Sequence, residues 1–505
     1  MKFWYYDIIF LIAFCIFFVT FLIKKRKNLK VEGKIFFLYP TKVGLKLINY
    51  VGSRYKKFFR VMEYIVPATG YLLMILSVWL FFELLRIMVQ LPALFKVIKV
   101  PPIMPIFPYF TEVFKVSYLP PFYFTYWIAS IAIIAVVHEF SHGIFARHYK
   151  VRVKSTGFGF LGPFIAAFVE PDEKQLRRKS SRAQITVLAA GSFANLVTTI
   201  IFIAIMLLFV KVLFVPAGVL FDTYMTTSIN ASDITKVGNL DVNNKSIDNL
   251  LDAFKNFDAN YYDLAMSMDS ESVNLTKITA NNQTFFGMTS LIKIQEANIK
   301  KGGEIIVFEN TPAIRTGLSG AINRINSVKI NSLNDLKREI AKYKPNEVIN
   351  IEVIDKDYKT RNYAVALDAS KDNKSQAILG IAFLSDAQTQ GIAKGILSYA
   401  RKIGEKLRDP HLFYMPAVNP SLIVFIYNLL WWIIFLNISI ALVNMLPLGI
   451  FDGGRVFYLT AFAITKSKKW AGIIFKIATT LILVIFAILT VMWFVNIYPG
   501  PWSNG

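Results

Sequence analysis

The sequence predicts a polytopic α-helical membrane protein of about six spans that carries one soluble α+β insert. Three observations lead to this fold class. Of the 505 residues, 55% are apolar and only 18% are charged, whereas about 25% are charged in a typical soluble domain. Six apolar stretches reach the roughly 20 residues that a spanning helix needs. One long segment, Val215–Asp409, has the composition of a soluble domain.

The six apolar stretches define the predicted spans. The first, Trp4–Ile23, is followed by four basic residues, Lys24–Lys27. This order is the reverse of a cleavable signal peptide, so we expect a retained anchor. Several stretches are longer than one bilayer thickness, which predicts tilted or broken helices. The other five predicted spans are Tyr64–Val89, Phe122–Arg147, Ala183–Phe214, Ser421–Leu448 and Ala471–Tyr498.

The distribution of Lys and Arg predicts the orientation of the spans. Twelve lie in Lys24–Arg60, nine in Arg147–Arg182 and four in Arg455–Lys469, against three in Leu91–Pro121. Because basic residues are enriched in cytoplasmic loops, the three basic segments are predicted to be cytoplasmic. Both termini and the large insert would then be extracytoplasmic. Much of the formal charge of +23 is therefore a topological signal, and we expect no nucleic-acid partner.

These boundaries predict four parts of the chain. Residues 1–63 hold the first span and a basic cytoplasmic segment, and residues 64–214 form a membrane domain. Residues 215–410 form the extracytoplasmic insert, and residues 411–505 form a C-terminal membrane domain. A single cysteine, Cys15, excludes a disulfide framework and a cysteine-based zinc cluster.

The insert contains an internal repeat. The pattern of Asp233–Leu250 returns 88 residues later in Ala321–Leu336, and each copy predicts a strand, a tight turn, a short strand and a helix. The second copy follows Thr311–Leu318 and resembles a PDZ domain, although Gly320 and Ala321 replace the usual Gly-Asp. The insert is thus predicted to be PDZ-like, with two such units as one option and an unrelated α+β domain as the alternative.

The third span carries the motif His138-Glu139-Phe140-Ser141-His142. With four histidines in the chain, His-Glu-x-x-His arises by chance in about one such chain in a thousand. Residues i and i+4 of a helix differ by about 40° and 6 Å, so both imidazoles can bind one Zn²⁺ while Glu139 acts on a water as general base. Ionisable side chains in an apolar span are costly and indicate function.

A catalytic zinc keeps three protein ligands and one open position, so one more ligand is needed. His148 would lie about 15 Å along the helix and about 80° away from the ligand face, and we reject it. His411 precedes the fifth span on the opposite side of the predicted membrane. The favoured candidate is Asp452, because Pro447 and Gly449 break the helix before it, and broken backbone at membrane depth needs a polar or protein-lined environment.

Together these residues resemble the site-2 protease family of intramembrane zinc metalloproteases. The resemblance covers His138–Gly143, the Gly191-x-x-x-Asn195 element and Asn444…Pro447…Asp452-Gly453. Phe158–Pro171 resembles the family's membrane-associated β-hairpin. The family pattern usually has a second proline where this chain has Gly449, which loosens the loop without changing the ligands.

The resemblance implies zinc-assisted peptide hydrolysis, with His138, His142 and Asp452 as zinc ligands and Glu139 as general base. Asn444 and Asn195 would contact the substrate, and an interhelical hydrogen bond is the alternative role of each. The hairpin Lys154–Val169 would hold an unwound substrate strand by β-addition.

The implied function is regulated intramembrane proteolysis of single-span membrane proteins. A PDZ-bearing membrane scaffold and an ion-coupled transporter are the alternatives, although we find no inverted repeat between the two halves. A composition rich in Lys, Ile, Asn and Phe suggests an AT-rich prokaryotic genome, with an archaeal host as one option, and hence the plasma membrane.

Overall fold

The computed structural model describes the chain in two compact units. The membrane unit comprises Met1–Phe209 and Ser421–Gly505, and the insert unit comprises Val210–Pro420. The description omits residues 1–2, 33–35, 91–106, 115, 117–118, 162–163, 243–249, 251–252, 255–274, 289–291, 293–294, 296–298, 300–302, 356–357, 384–408, 410 and 498–505.

Six helices of the described residues are long and apolar enough to cross a membrane, as the sequence predicts. The protein is therefore a polytopic helical integral membrane protein. The α-helices of the described residues, crossing and shorter ones together, are α1 (Phe3–Lys25), α2 (Leu45–Arg54), α3 (Lys56–Gln90), α4 (Phe110–Val113), α5 (Phe124–His148), α6 (Glu173–Arg177), α7 (Ser181–Leu213), α8 (Pro312–Arg315), α9 (Leu333–Ile340), α10 (Pro420–Asn444), α11 (Asp452–Thr465) and α12 (Lys468–Ile497). The crossing helices are α1, α3, α5, α7, α10 and α12.

The fifth crossing helix is shorter than predicted. The sequence suggests an end near Leu448, whereas α10 ends at Asn444 and a loop leads into the additional helix α11. Pro447 lacks the backbone N–H that would continue α10, and its ring disfavours helical geometry at the preceding residue. The break places Asp452 at the first position of a new helix.

A four-stranded antiparallel sheet lies within the membrane unit, in the order β1-β2-β3-β4. The predicted hairpin is its second half. The other two strands were missed, because their basic and aromatic sequence resembles a simple membrane flank. The strands are β1 (Lys30–Glu32), β2 (Phe36–Thr41), β3 (Val153–Leu161) and β4 (Phe164–Pro171).

Small residues let the membrane helices pack closely around the centre of the unit. A Cβ on Gly70 of α3 would lie 2.8 Å from the Cβ of Ala189 on α7. A Cβ on Gly143 of α5 would lie 2.9 Å from Val169 of β4. Side chains from α3, α7, α10 and α11 share one apolar cluster. The packing therefore gathers α5, α7, α11 and β4 around one point.

The insert unit is built mainly from strands, together with the short helices α8 and α9. One sheet has the order β7-β12-β11-β10-β8-β9, and another has the order β16-β15-β13-β5-β20. Its strands are β5 (Phe214–Val219), β6 (Thr223–Tyr224), β7 (Thr226–Asn230), β8 (Ile234–Val237), β9 (Leu240–Asp241), β10 (Leu275–Ala280), β11 (Gln283–Met288), β12 (Glu304–Glu309), β13 (Ala321–Ile325), β14 (Val328–Lys329), β15 (Val348–Ile354), β16 (Thr360–Ala366), β17 (Asp368–Ala369), β18 (Ala377–Ile378), β19 (Ile381–Ala382) and β20 (Leu412–Pro416).

Both copies of the repeat contain the expected tight hairpin. In the first copy β8 pairs with β9, and in the second β13 pairs with β14. Ser332 caps α9 by accepting a hydrogen bond from Asp335 N, which starts the helix of the second copy. The matching stretch of the first copy, 243–249, lies outside the described residues. Each copy has its own apolar core.

Candidate metal centre

The His-Glu-x-x-His motif lies near the C-terminal end of α5. The ligand atoms of His138, Glu139 and His142 all lie within 4.8 Å of one another. Nε2 of His138 is 3.0 Å from Nε2 of His142. The i, i+4 spacing on one helix thus brings the two imidazoles together, as the helical repeat requires.

Asp452 reaches the same point from α11. Its Oδ2 lies 3.4 Å from Nε2 of His138 and 3.3 Å from Nε2 of His142. The two glycines that follow allow this approach. A Cβ on Gly453 would lie 2.3 Å from the carbonyl of Met445, and one on Gly454 would lie 2.1 Å from the carbonyl oxygen of Leu448. The first turn of α11 can therefore pack directly on the loop backbone.

The three atoms have the spacing of ligands around one tetrahedral ion. Zinc binds nitrogen and carboxylate oxygen at about 2.0–2.2 Å, so two ligands of a tetrahedral site lie about 3.3 Å apart. The observed separations of 3.0, 3.4 and 3.3 Å match that value. The donor set of two imidazoles and one carboxylate therefore fits a zinc ion with one coordination position left open.

The proton on His142 is placed so that Nε2 can bind a metal. Its Nδ1 lies 2.7 Å from the carbonyl oxygen of Val187 on α7. A carbonyl oxygen only accepts, so Nδ1 donates, and in the neutral imidazole Nε2 then keeps its lone pair. Metal-binding histidines are commonly held in this way by their second nitrogen.

Gly191 on α7 leaves room for the two imidazoles. A Cβ at this position would lie 2.4 Å from Cε1 of His138. It would also lie 2.5 Å from Nε2 of each histidine. Any other residue at position 191 would therefore collide with the candidate ligands. The motif resemblance includes this glycine, but sequence reasoning did not find its role.

Glu139 faces the sheet. Its Oε2 accepts a hydrogen bond from the backbone N–H of Val169 on β4, at 3.0 Å. Val169 is a site residue that sequence reasoning missed, because a backbone donor has no signature in the side-chain sequence. The bond holds one carboxylate oxygen of Glu139 beside the cluster, while Asp452 is the carboxylate that meets both imidazoles.

A cavity of about 520 Å³ opens onto this cluster. Glu139, His142 and Asp452 line it together with Phe168 and Val169 of β4. Lys30 of β1, Leu38 of β2 and Lys154 of β3 line it too, so the cavity gives access to the candidate ligands across the sheet.

The remaining candidate residues lie in different places. Asn195 is fully buried behind His138, with its Nδ2 3.1 Å from His138 Nδ1. Asn444 is half-buried at the last position of α10. Nε2 of His148 lies 2.8 Å from Oε1 of Glu63, and His411 belongs to the insert unit. Of the three histidines in the membrane unit, His138 and His142 meet and His148 lies elsewhere.

Comparison with known proteins agrees with this geometry. The profile of peptidase family M50 matches residues 126–489, which include the whole cluster and the insert. An uncharacterized protein of Methanocaldococcus jannaschii is 30% identical over 192 residues, covering 38% of this chain and 48% of the relative. The matched part thus spans about half the length of that relative.

Proposed function

This chain belongs to peptidase family M50, a family of membrane metalloproteases, and we propose that it hydrolyses a peptide bond within the transmembrane segment of single-span membrane proteins. The observation that carries the proposal is the triangle formed by His138, His142 and Asp452 beside Glu139. Three candidate ligand atoms, two imidazole nitrogens and one carboxylate oxygen, lie as far apart as ligands of a tetrahedral ion do. They are carried by helices of the unit that holds the membrane-crossing helices.

His138, His142 and Asp452 would hold the zinc ion. When bound, zinc supplies a Lewis acid that polarises the scissile carbonyl and lowers the pKa of water. The carboxylate would reduce the charge of the site, and a neutral His142 offers the lone pair of Nε2 to the ion. Water and substrate would reach the ion from the cavity that Glu139, His142 and Asp452 line.

Glu139 would act as the general base. A base must lie within hydrogen-bond reach of the proton that it takes, and Glu139 lines the same cavity as His142 and Asp452. It would accept a proton from the attacking water and deliver it to the leaving amine. The Val169 N–H fixes one of its oxygens, which leaves the other to transfer the proton.

The edge of β4 would bind the substrate. The hairpin was predicted to hold an unwound strand, and within the described residues its β4 side is an edge of the sheet, because β2 pairs with β3. Strand β4 is terminal, and its Val169 N–H points to Glu139. Because the Val169 N–H is already bound to Glu139, a strand added there would pair with the other outward main-chain groups of β4 and run past the cluster. Asn444, at the end of α10, would contact this strand.

The remaining predictions complete the proposal. Positive charge on the flanks would make the basic segments cytoplasmic and the termini and insert extracytoplasmic. The PDZ-like insert would act as a docking site or size filter for substrates, in the plasma membrane of a prokaryote. Residues 1–63, 64–214, 215–410 and 411–505 would form the four functional parts.

Cleavage of a single-span peptide by the purified full chain tests the function. Wild type is expected to cut, and Glu139→Gln is expected to retain zinc but lose at least about a hundredfold in rate, the typical contribution of general acid-base catalysis. Glu83→Gln is the control, since Glu83 lies on α3 and pairs with Arg86. An inactive wild type, or equal cleavage by Glu139→Gln, would instead favour a scaffold or transporter.

A further inference from the structure

Nδ1 of His138 has a different partner from Nδ1 of His142, which faces a backbone carbonyl oxygen. Nδ1 of His138 faces the side-chain amide of Asn195, with Nδ2 at 3.1 Å. If that amide nitrogen donates to Nδ1, the proton of a neutral His138 must sit on Nε2. Nε2 is the atom 3.4 Å from Asp452 Oδ2 and 3.0 Å from His142 Nε2. This tautomer could not bind a metal through Nε2.

The side-chain amide of Asn195 can take the other orientation. Asn195 is 0% exposed, and its Oδ1 has no hydrogen-bond partner among the described residues. The two amide orientations have nearly the same shape. Turning the amide by 180° brings Oδ1 to Nδ1, where it accepts the Nδ1–H of His138. The turn leaves Nδ2 in the place that Oδ1 held, so hydrogen bonding alone does not separate the two orientations. The position of His138 Nε2 beside His142 Nε2 and Asp452 Oδ2 favours the turned amide, because only then does Nε2 keep a lone pair for a shared ion.

We infer that Asn195 is a positioning residue that sets the tautomer of His138. Its Oδ1 holds the proton on Nδ1, so that Nε2 offers a lone pair to the metal. This inference rests on the proposed function and changes the role expected for Asn195, since a fully buried side chain behind the imidazole does not reach a substrate in the cavity.

The Gly191-x-x-x-Asn195 spacing then has a physical explanation. Residues four apart lie on the same face of a helix. Gly191 leaves room for both imidazoles, and Asn195 binds the back of His138 one turn later. One face of α7 therefore contributes in two ways. Gly191 has no side chain to displace the imidazoles, and Asn195 supplies a hydrogen-bond acceptor for His138.

Metal affinity of the full-length protein in detergent tests the inference. Zinc would be titrated in competition with a chromophoric chelator, and the visible spectrum of the Co²⁺-substituted protein would report the ligand geometry. Asn195→Leu is expected to weaken zinc binding by about 10–100-fold, as loss of a partner to a ligating histidine typically does. Asn195→Asp keeps an acceptor of the same size and is expected to retain the affinity and the cobalt spectrum.

Asn437→Leu is the matched control. Asn437 is also 0% exposed in a membrane helix, but its Nδ2 donates to Ile433 O of its own helix. Its removal is expected to leave zinc affinity unchanged.

Three results would overturn the inference. Asn195→Leu could bind zinc as tightly as wild type, Asn195→Asp could lose zinc affinity, or Asn437→Leu could lose as much zinc affinity as Asn195→Leu. Asn195→Asp decides the question if Asn195→Leu does not fold. A wild-type chain that binds no zinc would overturn the proposed function as well.

Discussion

The backbone N–H of Val169 donates to Oε2 of Glu139 at 3.0 Å, and so links the edge of β4 to the proposed general base. Val169→Pro removes this donor, and an edge strand can accept a proline. A hydrogen bond to a charged group contributes about 1.5–3 kcal/mol, so we expect cleavage to slow by about 10–100-fold while zinc content is unchanged. The measurement is single-turnover cleavage.

Val169→Ala provides the comparison for this variant. It keeps the backbone donor and shortens the side chain, so the cleavage rate should stay close to that of wild type. If Val169→Pro cleaves as fast as Val169→Ala, the hydrogen bond does not position Glu139.

Gly191 is expected to tolerate no side chain. In Gly191→Ala the new methyl group would lie 2.5 Å from Nε2 of both histidines, so the imidazoles must move apart. We expect zinc content to fall well below that of wild type. Gly472→Ala is the control, because a Cβ there meets nothing within 4 Å. Equal zinc in the two variants would contradict the close packing of α7 on the site.

Asp7 anchors α1 to the beginning of α5. It is 1% exposed and accepts hydrogen bonds from Phe124 N at 2.8 Å and Thr125 N at 2.9 Å. Tyr109 OH also donates to it. Asp7→Ala leaves these buried donors unpaired, at about 1–3 kcal/mol each, and should lower the thermal unfolding midpoint in detergent. Asp7→Asn keeps an acceptor, so its unfolding midpoint should fall less than that of Asp7→Ala. Equal midpoints for wild type and Asp7→Ala would show that Asp7 does not stabilise the contact between α1 and α5.

Tyr224 predicts a pH dependence of the insert unit. Its hydroxyl donates to Leu318 O at 2.6 Å, and burial, with a smaller effect of Tyr363, raises the pKa of Tyr224. A raised pKa in the folded state gives stability that is complete below the unfolded pKa of about 10 and is lost as pH rises toward the folded pKa. Calorimetry above pH 10 should show a falling unfolding midpoint for this unit.

Tyr224→Phe should make that fall shallower, because the group that ionises on unfolding is gone. The substitution also removes one hydrogen bond, so the midpoint at neutral pH should decrease. An unchanged slope above pH 10 would show that Tyr224 does not control it.

Much of the membrane fold could be predicted from hydropathy and helical spacing. The six crossing helices follow from long apolar stretches, and the approach of His138 to His142 follows from helical spacing. The helix break at Pro447 and Gly449 indicated that the chain turns before Asp452. The structure brings the Asp452 carboxylate to both histidines.

The missed features depend on contacts between distant segments. Helix α11 was not predicted, because Gly453 and Gly454 are poor helix formers and their value lies in packing on the preceding loop. Strand β2 was missed because its partner, β3, is far along the sequence. Such contacts depend on how distant segments fit together in three dimensions, and a hydropathy pattern along the chain does not predict that fit.

The most direct test of the account is the zinc content of purified full-length protein beside that of Asp452→Asn. The account predicts about one tightly bound zinc per wild-type chain, because the open catalytic site has three protein ligands. It predicts much weaker binding in Asp452→Asn, in which a neutral amide replaces the carboxylate of α11. A wild-type chain without zinc, or a variant that holds zinc as tightly as wild type, would contradict it.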